Sequence, residues 1–515
     1  MISNAIIFDK SKCNGCGVCV LNCPEIVFQQ QREKAIPAVA HPNRCMGCMA
    51  CEEDCAHGAI KVYRLPDGLD ADNVTPPAAG LDPDRVYDIV IIGAGPAGIG
   101  AAIRGRLLGL DVAVIERLPS RKRSHHPDGG LLFWDKYMYR ITDDAKGITI
   151  PELGINIPTS AICERIENFI FMGPGGLATK RSEKGKHSFP SVSKDRFVEI
   201  LSSRALELGA VIAYNTRALK ISRDTASGLS AVTVDGGLEI KGKVVISAEG
   251  NTGKLTERAG VPVNKNKVGW GFALLKEQEP LLKPPGEAGF LMGKMEGLEE
   301  DAKFLSYWSG GTGKVELATG PIQLEKKRIL ENPLDYYFEH FTRKDLRAVN
   351  RLGTLVADRK ATLRDGCRIL ARRLPDKAVG DGLIAVGDAI TTCGMMTNIM
   401  ALKSGDLAAE VAAKAISLGD TSAKMLEPFE KRVFKIPMVK GMSWMHGLLI
   451  EAPLRLPEND LALLFGGLKH LNLSKTMGGG LGAVWEMSKF MLRIMPLMMK
   501  RKDLVPYIDG SGGPK

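Results

Sequence analysis

Two near-identical cysteine runs at the start of the chain leave it few ways to fold. They are Cys13-x2-Cys16-x2-Cys19-x3-Cys23-Pro24 and Cys45-x2-Cys48-x2-Cys51-x3-Cys55, and they hold eight of the eleven cysteines. A C-x2-C-x2-C loop wraps three corners of an iron–sulfur cube, and the fourth thiolate comes from the other run. On that rule Cys13, Cys16, Cys19 and Cys55 hold one [4Fe–4S] cluster. Cys45, Cys48, Cys51 and Cys23 hold a second. A zinc site would show two C-x2-C pairs, without a trailing fourth cysteine. No secretory signal pattern precedes the runs, so a disulfide framework is not expected either. One departure stands out: Cys55 is followed by Ala56, where Cys23 is followed by Pro24. It is expected to leave ligation intact and to alter packing at one cluster. Clusters of this kind imply one-electron transfer in a reducing, cytoplasmic setting.

A second pattern lies at residues 87–117. The apolar run Asp88–Ile92 enters Gly93-x-Gly95-x-x-Gly98, a helical pattern follows, and a second apolar run, Asp111–Ile115, ends at Glu116. A glycine triplet alone says little. Here it follows a strand, opens a helix and is answered by an acid 18 residues on, which is the context a dinucleotide site requires. The glycines let the backbone approach a pyrophosphate, the helix N-terminus attracts that anion, and Glu116 would accept from ribose hydroxyls. Two later signals are Val244-Val-Ile-Ser-Ala-Glu249-Gly250 and Gly382-Leu-Ile-Ala-Val-Gly387-Asp388-Ala389. The second is a buried strand ending in a Gly-Asp turn, with a helix expected from about Gly394.

In this order the signals resemble those of the geranylgeranyl reductases and their relatives, the electron-transfer-flavoprotein:quinone oxidoreductases. The likeness covers residues 86 to about 420. It rests on Gly93, Gly95, Gly98 and Glu116, on the Gly387-Asp388 turn, and on Lys403-Ser404-Gly405-x-x-Ala408-Ala409-Glu410. The resemblance implies a glutathione-reductase-like Rossmann domain of α/β class that binds FAD. Asp388 would then bind the ribityl chain, and the helix after Gly394 would stabilise reduced flavin. Glu249-Gly250 stands where the family has Asp-Gly. Two family elements are altered. The Tyr-x-Trp-x-Phe-Pro substrate motif is missing, its nearest counterpart being Phe304-Leu-Ser-Tyr307-Trp308. Arg-x-x-Phe-Asp appears as Lys194-Asp-Arg-Phe197-Val198.

The expected organisation is a small α+β two-cluster ferredoxin domain at 1–64 and a Pro/Gly/Asp-rich linker at 65–86. The FAD domain spans 87–264 and 376–420, with an inserted antiparallel substrate domain at 265–375. A basic, Met-rich helical region closes the chain at 421–515. From Lys431 to Lys515 there are 13 Lys and Arg against 6 Asp and Glu, with 9 of the 20 methionines. No apolar run is long enough to span a bilayer. Two readings of the region stand: a basic amphipathic surface lying peripherally on an anionic membrane, or a Met-lined helical core with a solvated basic face. Nucleic acid is not expected, since no binding motif accompanies the charge. His125 and His126 are candidate proton donors, against the reading of two exposed loop histidines. Cys393 is a candidate flavin neighbour, against a small residue that fits its turn. Cys163 and Cys367 read as packing residues. The function these features imply is passage of electrons from a ferredoxin or electron-transfer flavoprotein, through clusters and FAD, to a hydrophobic acceptor. That acceptor is an isoprenoid or related lipid alkene, or alternatively a membrane quinone.

Overall fold

The computed structural model describes residues 3–65, 76–119, 130–134, 137–174, 178–182, 189–263, 267–278, 285–294, 302–311, 314–323, 334–352, 363–390, 398–437, 439, 450–471 and 480–504. His125, His126, Cys393 and Gly394 lie outside them, as do residues 66–75 of the expected linker.

At the N-terminus, strands Ser3–Phe8 and Ile60–Leu65 pair antiparallel, with Ala5 opposite Tyr63. Between them each cysteine run curls into a short helix, α1 (Val18–Asn22) and α2 (Ala50–Asp54). Both helices follow a residue in the left-handed conformation, Gly17 and Met49, and a left-handed glycine sits two residues earlier, Gly15 and Gly47. The sequence repeat is thus a repeat of loop shape, which buries Cys19 in one run and Cys51 in the other. Val27, Phe28, Ile60 and Val62 pack around them.

The next unit is a sheet with a parallel core and an antiparallel edge. Strand Val86–Ile92, α3 (Pro96–Leu107) and strand Val112–Ile115 make a β-α-β unit. Val90 lies opposite Ala113 on one side and Val245 on the other. Sheet order is 211–213, 112–115, 86–92, 239–247, 230–234, 218–223, and 383–385 joins the C-terminal half of 239–247 in parallel. The central strands read as unbroken apolar runs because both faces are covered. α4 (Lys194–Glu207) starts at Ser193, whose side chain accepts the Arg196 N–H and so satisfies one free donor of the first turn. α5 (Lys254–Arg258) follows the 239–247 strand, and α6 (Asn398–Ser417) returns across α3. That crossing is close: a Cβ on Gly100 would strike the Leu402 carbonyl, and one on Gly405 the Ala97 carbonyl. The fully buried Asp406 locks it by pairing with Arg104 and, at 2.8 Å, with Lys403.

The expectation of an antiparallel substrate domain confined to 265–375 needs correction. The second large sheet has seven strands in the order 178–182, 168–172, 287–293, 302–311, 314–323, 267–278, 363–372. Two of them come from the segment assigned to the FAD domain, and the 168–172/287–293 pair is parallel. Strand 168–172 explains the recruitment. It is buried on both faces from Phe169 to Met172, so it needs cover above and below, and a short apolar run does not itself declare which sheet provides it. Phe169 and Phe171 face α7 (Glu458–Leu468) and α8 (Gly480–Lys500), through Phe465, Phe490 and Ile494. Ile170 and Met172 face the other way, into a core that includes Met46 and Ala50 of the cysteine-rich unit. The described part of 421–504 is helical, and no helix among the described residues is long and apolar enough to cross a membrane.

Candidate functional site

A cavity of about 730 Å³ separates the parallel sheet from the cysteine-rich unit, within the range of about 300–1,000 Å³ usual for cofactor and ligand sites. Gly93, Gly95, Glu116, Thr216, Glu249, Gly250 and Asp388 all line it, and so do Gly47, Cys48, Met49 and Cys55. The fold therefore brings the dinucleotide residues and the second cysteine run to one chamber.

The glycine turn has three distinct reasons for its residues. Gly93 has φ +96°, and a Cβ there would strike the Ala248 carbonyl; a Cβ on Gly98 would strike the Gly93 carbonyl. Gly95 is different. Its φ of −73° suits any residue, and an added Cβ would meet nothing within 4 Å. What it protects is open space at the start of α3, where a phosphate can approach backbone N–H groups. Glu116 is buried and held in place: Oε2 accepts the Ala94 N–H at 2.6 Å, and Oε1 the Leu118 N–H at 2.9 Å.

At the other end stands Asp388. It opens onto the cavity yet lies deep in the protein, and burial pushes its carboxyl above the ordinary carboxylate range. Lys194 and Arg372 act on it in the opposite sense. Lys194 occupies the first position of the altered Arg-x-x-Phe-Asp element and lines the cavity, so a cation is kept where the resemblance expects one. Asn398 and Ala401, in the first turn of α6, complete this end. Glu249, expected among the cofactor-binding residues, stands on the chamber wall. Its carboxylate accepts the Leu255 and Thr256 N–H groups at 2.9 and 2.8 Å and the Thr256 hydroxyl at 2.6 Å. It caps α5 from its place beside Gly250 on the chamber wall.

The cysteines fall into two groups. A small space between the loops is lined by Cys23, Cys45, Cys48 and Cys51, with Met46, Met49, Pro24 and Phe28. Burial raises all three of Cys23, Cys48 and Cys51, and the field of neighbouring cysteines in the same quartet raises each further. Cys19 is pushed up to about 12, by burial and then by Cys13 and Cys16. Buried thiols that crowd one another become thiolates only around a cationic centre, so the donor set fits an iron–sulfur core. Among the described residues no three His, Cys, Asp or Glu side chains converge on a single-ion site; a cube with one thiolate per corner asks for a wider set. The Val27 N–H donates to Cys23 Sγ and the Ala59 N–H to Cys55 Sγ, both at 3.3 Å. Ala56 in place of proline therefore leaves this contact unchanged. Each group puts one cysteine on the chamber wall, Cys55 in one and Cys48 in the other, and each has one buried member, Cys19 and Cys51; Cys16 alone of the eight is exposed.

The contact between the units is an ion-pair clamp that no motif announced. Glu52, Glu53 and Asp54 at the end of α2 meet Arg117, Arg217, Lys254 and Arg368. Arg117 reaches Glu53 at 3.1 Å, Lys254 reaches the Glu53 carbonyl at 2.6 Å, and Arg217 pairs with Glu52. Arg368, only 3 % exposed, spans Glu53 and Asp54, the latter at 3.0 Å. Met46 packs on Gly366, where a Cβ would collide with its side chain. Cys367, expected to be a packing residue, lines the chamber between these two anchors.

Comparison with known proteins identifies the parts. Residues 88–365 match the model for FAD dependent oxidoreductases. The chain belongs to that family. Residues 5–56 match the 4Fe-4S dicluster domain, so this FAD-dependent oxidoreductase carries two [4Fe–4S] clusters beside its flavin. It is 24 % identical over 371 residues to a digeranylgeranylglycerophospholipid reductase of Methanosarcina acetivorans, covering 67 % of this chain and 80 % of that one. The corresponding protein of Methanocaldococcus jannaschii is 26 % identical over 361 residues, covering 67 % and 82 %. An uncharacterized ferredoxin of the same organism is 43 % identical over 60 residues, 11 % of this chain and 94 % of its own length. In fold, the flavoprotein is similar to a geranylgeranyl bacteriochlorophyll reductase-like protein of Thermoplasma acidophilum, with a TM-score of 0.62 at 18 % identity, covering 82 % and 100 % of the two chains.

Proposed function

We propose that this iron–sulfur flavoprotein saturates carbon–carbon double bonds of an isoprenoid lipid, with electrons that enter singly at the cysteine-rich unit. The observation that carries the reading is the shared chamber: the glycine turn, Asp388 and the Cys48 loop line one cavity. The acceptor class follows from relatives named for geranylgeranyl lipid reduction across most of their length. Each double bond takes two electrons and two protons, whereas a [4Fe–4S] cluster passes one electron. FAD supplies the conversion, because it accepts electrons singly and releases them as hydride.

The residues' parts follow from their positions. Cys13, Cys16, Cys19 and Cys55 would hold the outer cluster, where exposed Cys16 faces an electron donor. Cys45, Cys48, Cys51 and Cys23 would hold the inner one. Gly95 leaves room for the pyrophosphate, and Glu116 and Asp388 hold opposite ends of the dinucleotide. Lys194 supplies a positive charge beside Asp388. The Arg and Lys clamp on α2 fixes the inner thiols against the chamber. The test is anaerobic incubation of the full chain with reduced viologen and digeranylgeranyl glycerophospholipid, followed by mass spectrometry. A gain of one H2 per reduced bond is expected. Reduction of a quinone with no change in any isoprenoid lipid would replace this reading with that of an electron conduit.

A further inference from the structure

α8 carries two apolar faces, and among the described residues only one of them is packed into the core. Phe490, Ile494 and Leu497 point inward and are buried against α7 and the seven-stranded sheet, Ile494 resting on Gly467. On the opposite side Leu481, Val484, Trp485, Leu492, Met495 and Met499 are exposed, at 89, 62, 63, 65, 47 and 72 %. At about 100° per residue these six fall within one stripe that runs the length of the helix. A helix needed only to close the core has no use for that second stripe, and exposed apolar patches of this kind mark interaction surfaces.

We infer that this stripe lies flat on the surface of an anionic lipid bilayer. Charge chooses the occupant. Residues 480–504 hold five Lys and Arg against two Asp and Glu. Lys489, Arg493 and Lys500 share the flank beside the stripe, and Lys502 is exposed at its end. Lys489 lies over the Trp485 ring, 5.3 Å from its centroid. A tryptophan at the apolar edge with a lysine beside it suits the headgroup boundary, where the ring enters and the ammonium stays with phosphates. The helix does not span: it is packed along one side, and no described helix meets the length and apolarity of a span. The inference rests on the proposed isoprenoid lipid substrate only for its purpose, which is to hold the enzyme where such lipids reside.

The structure also decides which residues test it. Lys500 pairs with buried Asp460 at 2.6 Å and Arg501 with Asp503 at 2.9 Å, so reversing their charges would disturb the fold. The stripe variant is Trp485→Ser/Leu492→Ser/Met499→Ser, and the charge variant is Arg493→Glu/Lys502→Glu. The holoenzyme is sedimented with vesicles of phosphatidylcholine alone or mixed with phosphatidylglycerol. Wild type should bind the mixed vesicles more tightly and be partly released by salt. The stripe variant should lose about tenfold or more of its affinity for both, and the charge variant only the preference for phosphatidylglycerol. Equal binding by wild type and stripe variant overturns the inference. So does failure of wild type to bind either vesicle, with or without a wild-type dimer that the stripe substitutions convert to monomer. Vesicle binding without isoprenoid reduction would sink the proposed function alone; reduction of detergent-dispersed lipid without vesicle binding would sink this inference alone.

Discussion

Replacing Arg368 by methionine should loosen the cysteine-rich unit from the chamber it serves. Arg368 is buried and bridges two carboxylates, Glu53 and Asp54, that are each 11 % exposed. Removing one member of a fully buried pair costs about 3–5 kcal/mol because a charge is left stranded, whereas an exposed pair contributes about 0–1 kcal/mol. This site lies between the two. Glu53 keeps Arg117 and Asp54 keeps Lys254, so neither acid is abandoned, and a loss of about 2 kcal/mol is expected. At 1.4 kcal/mol per tenfold, the equilibrium for release of the unit moves about thirtyfold. Methionine preserves the apolar stem, and Met46 still packs on Gly366. Two readouts apply to the intact chain: the rate at which protease cuts between residues 65 and 86, and the rate at which FAD bleaches after electrons are supplied to the clusters. Cutting should accelerate and bleaching slow, both more strongly at high salt. Arg196→Met is the control, since Arg196 is 58 % exposed and, among the described residues, its side chain pairs with its helix neighbour Glu199; it should change neither. If Arg368→Met behaves like this control, the clamp does not hold the unit in place.

Gly95→Val should abolish FAD retention while the flavin-free protein keeps its melting temperature, because the backbone tolerates the side chain and only the open space is filled; an unchanged flavin content would remove the pyrophosphate from that turn. Asp388→Ala should weaken FAD binding with cluster absorbance intact, whereas Glu116→Ala should also cost about 1–3 kcal/mol of stability, because the Ala94 and Leu118 N–H groups lose their acceptor; a Glu116 variant of unchanged melting temperature would contradict that. Anaerobic wild type should contain about eight iron and eight sulfide per chain, and Cys16→Ser about half, with the inner cluster retained; four iron in fully loaded wild type would refute a two-cluster protein.

What the sequence disclosed and what it hid divide along physical lines. The cysteine runs and the Gly93–Glu116 fingerprint were legible because their chemistry sits at fixed local spacing, and a loop or a strand-turn-helix imposes its residues directly. Asp388 was legible as a buried strand ending in a Gly-Asp turn. Glu249 was legible by its place in the chain, that of the family's acid, but not the bonds by which its side chain caps α5. The clamp was hidden because Glu52, Glu53 and Asp54 look like any solvated helix end, and their partners lie 64 to 315 positions away. Residues 168–182 fell inside the range given to the FAD domain but join the seven-stranded sheet, because an apolar run states that it will be buried and not by what. α8 was read as either core or membrane surface; one of its faces is buried in the core and an apolar stripe is exposed on the other, and only the direction of each side chain separates them.

The account turns on electrons passing from the inner cluster through the chamber to an isoprenoid double bond. The most direct test compares wild type with Cys48→Ser, anaerobically and with matched FAD content. Electrons are supplied by a reduced ferredoxin, and saturated lipid is counted against electrons consumed. Wild type should yield one reduced bond for every two electrons, and Cys48→Ser should yield almost none from ferredoxin while still forming product when its flavin is reduced chemically. Equal ferredoxin-driven product from both proteins, or electrons consumed by wild type with no reduced lipid, would contradict it.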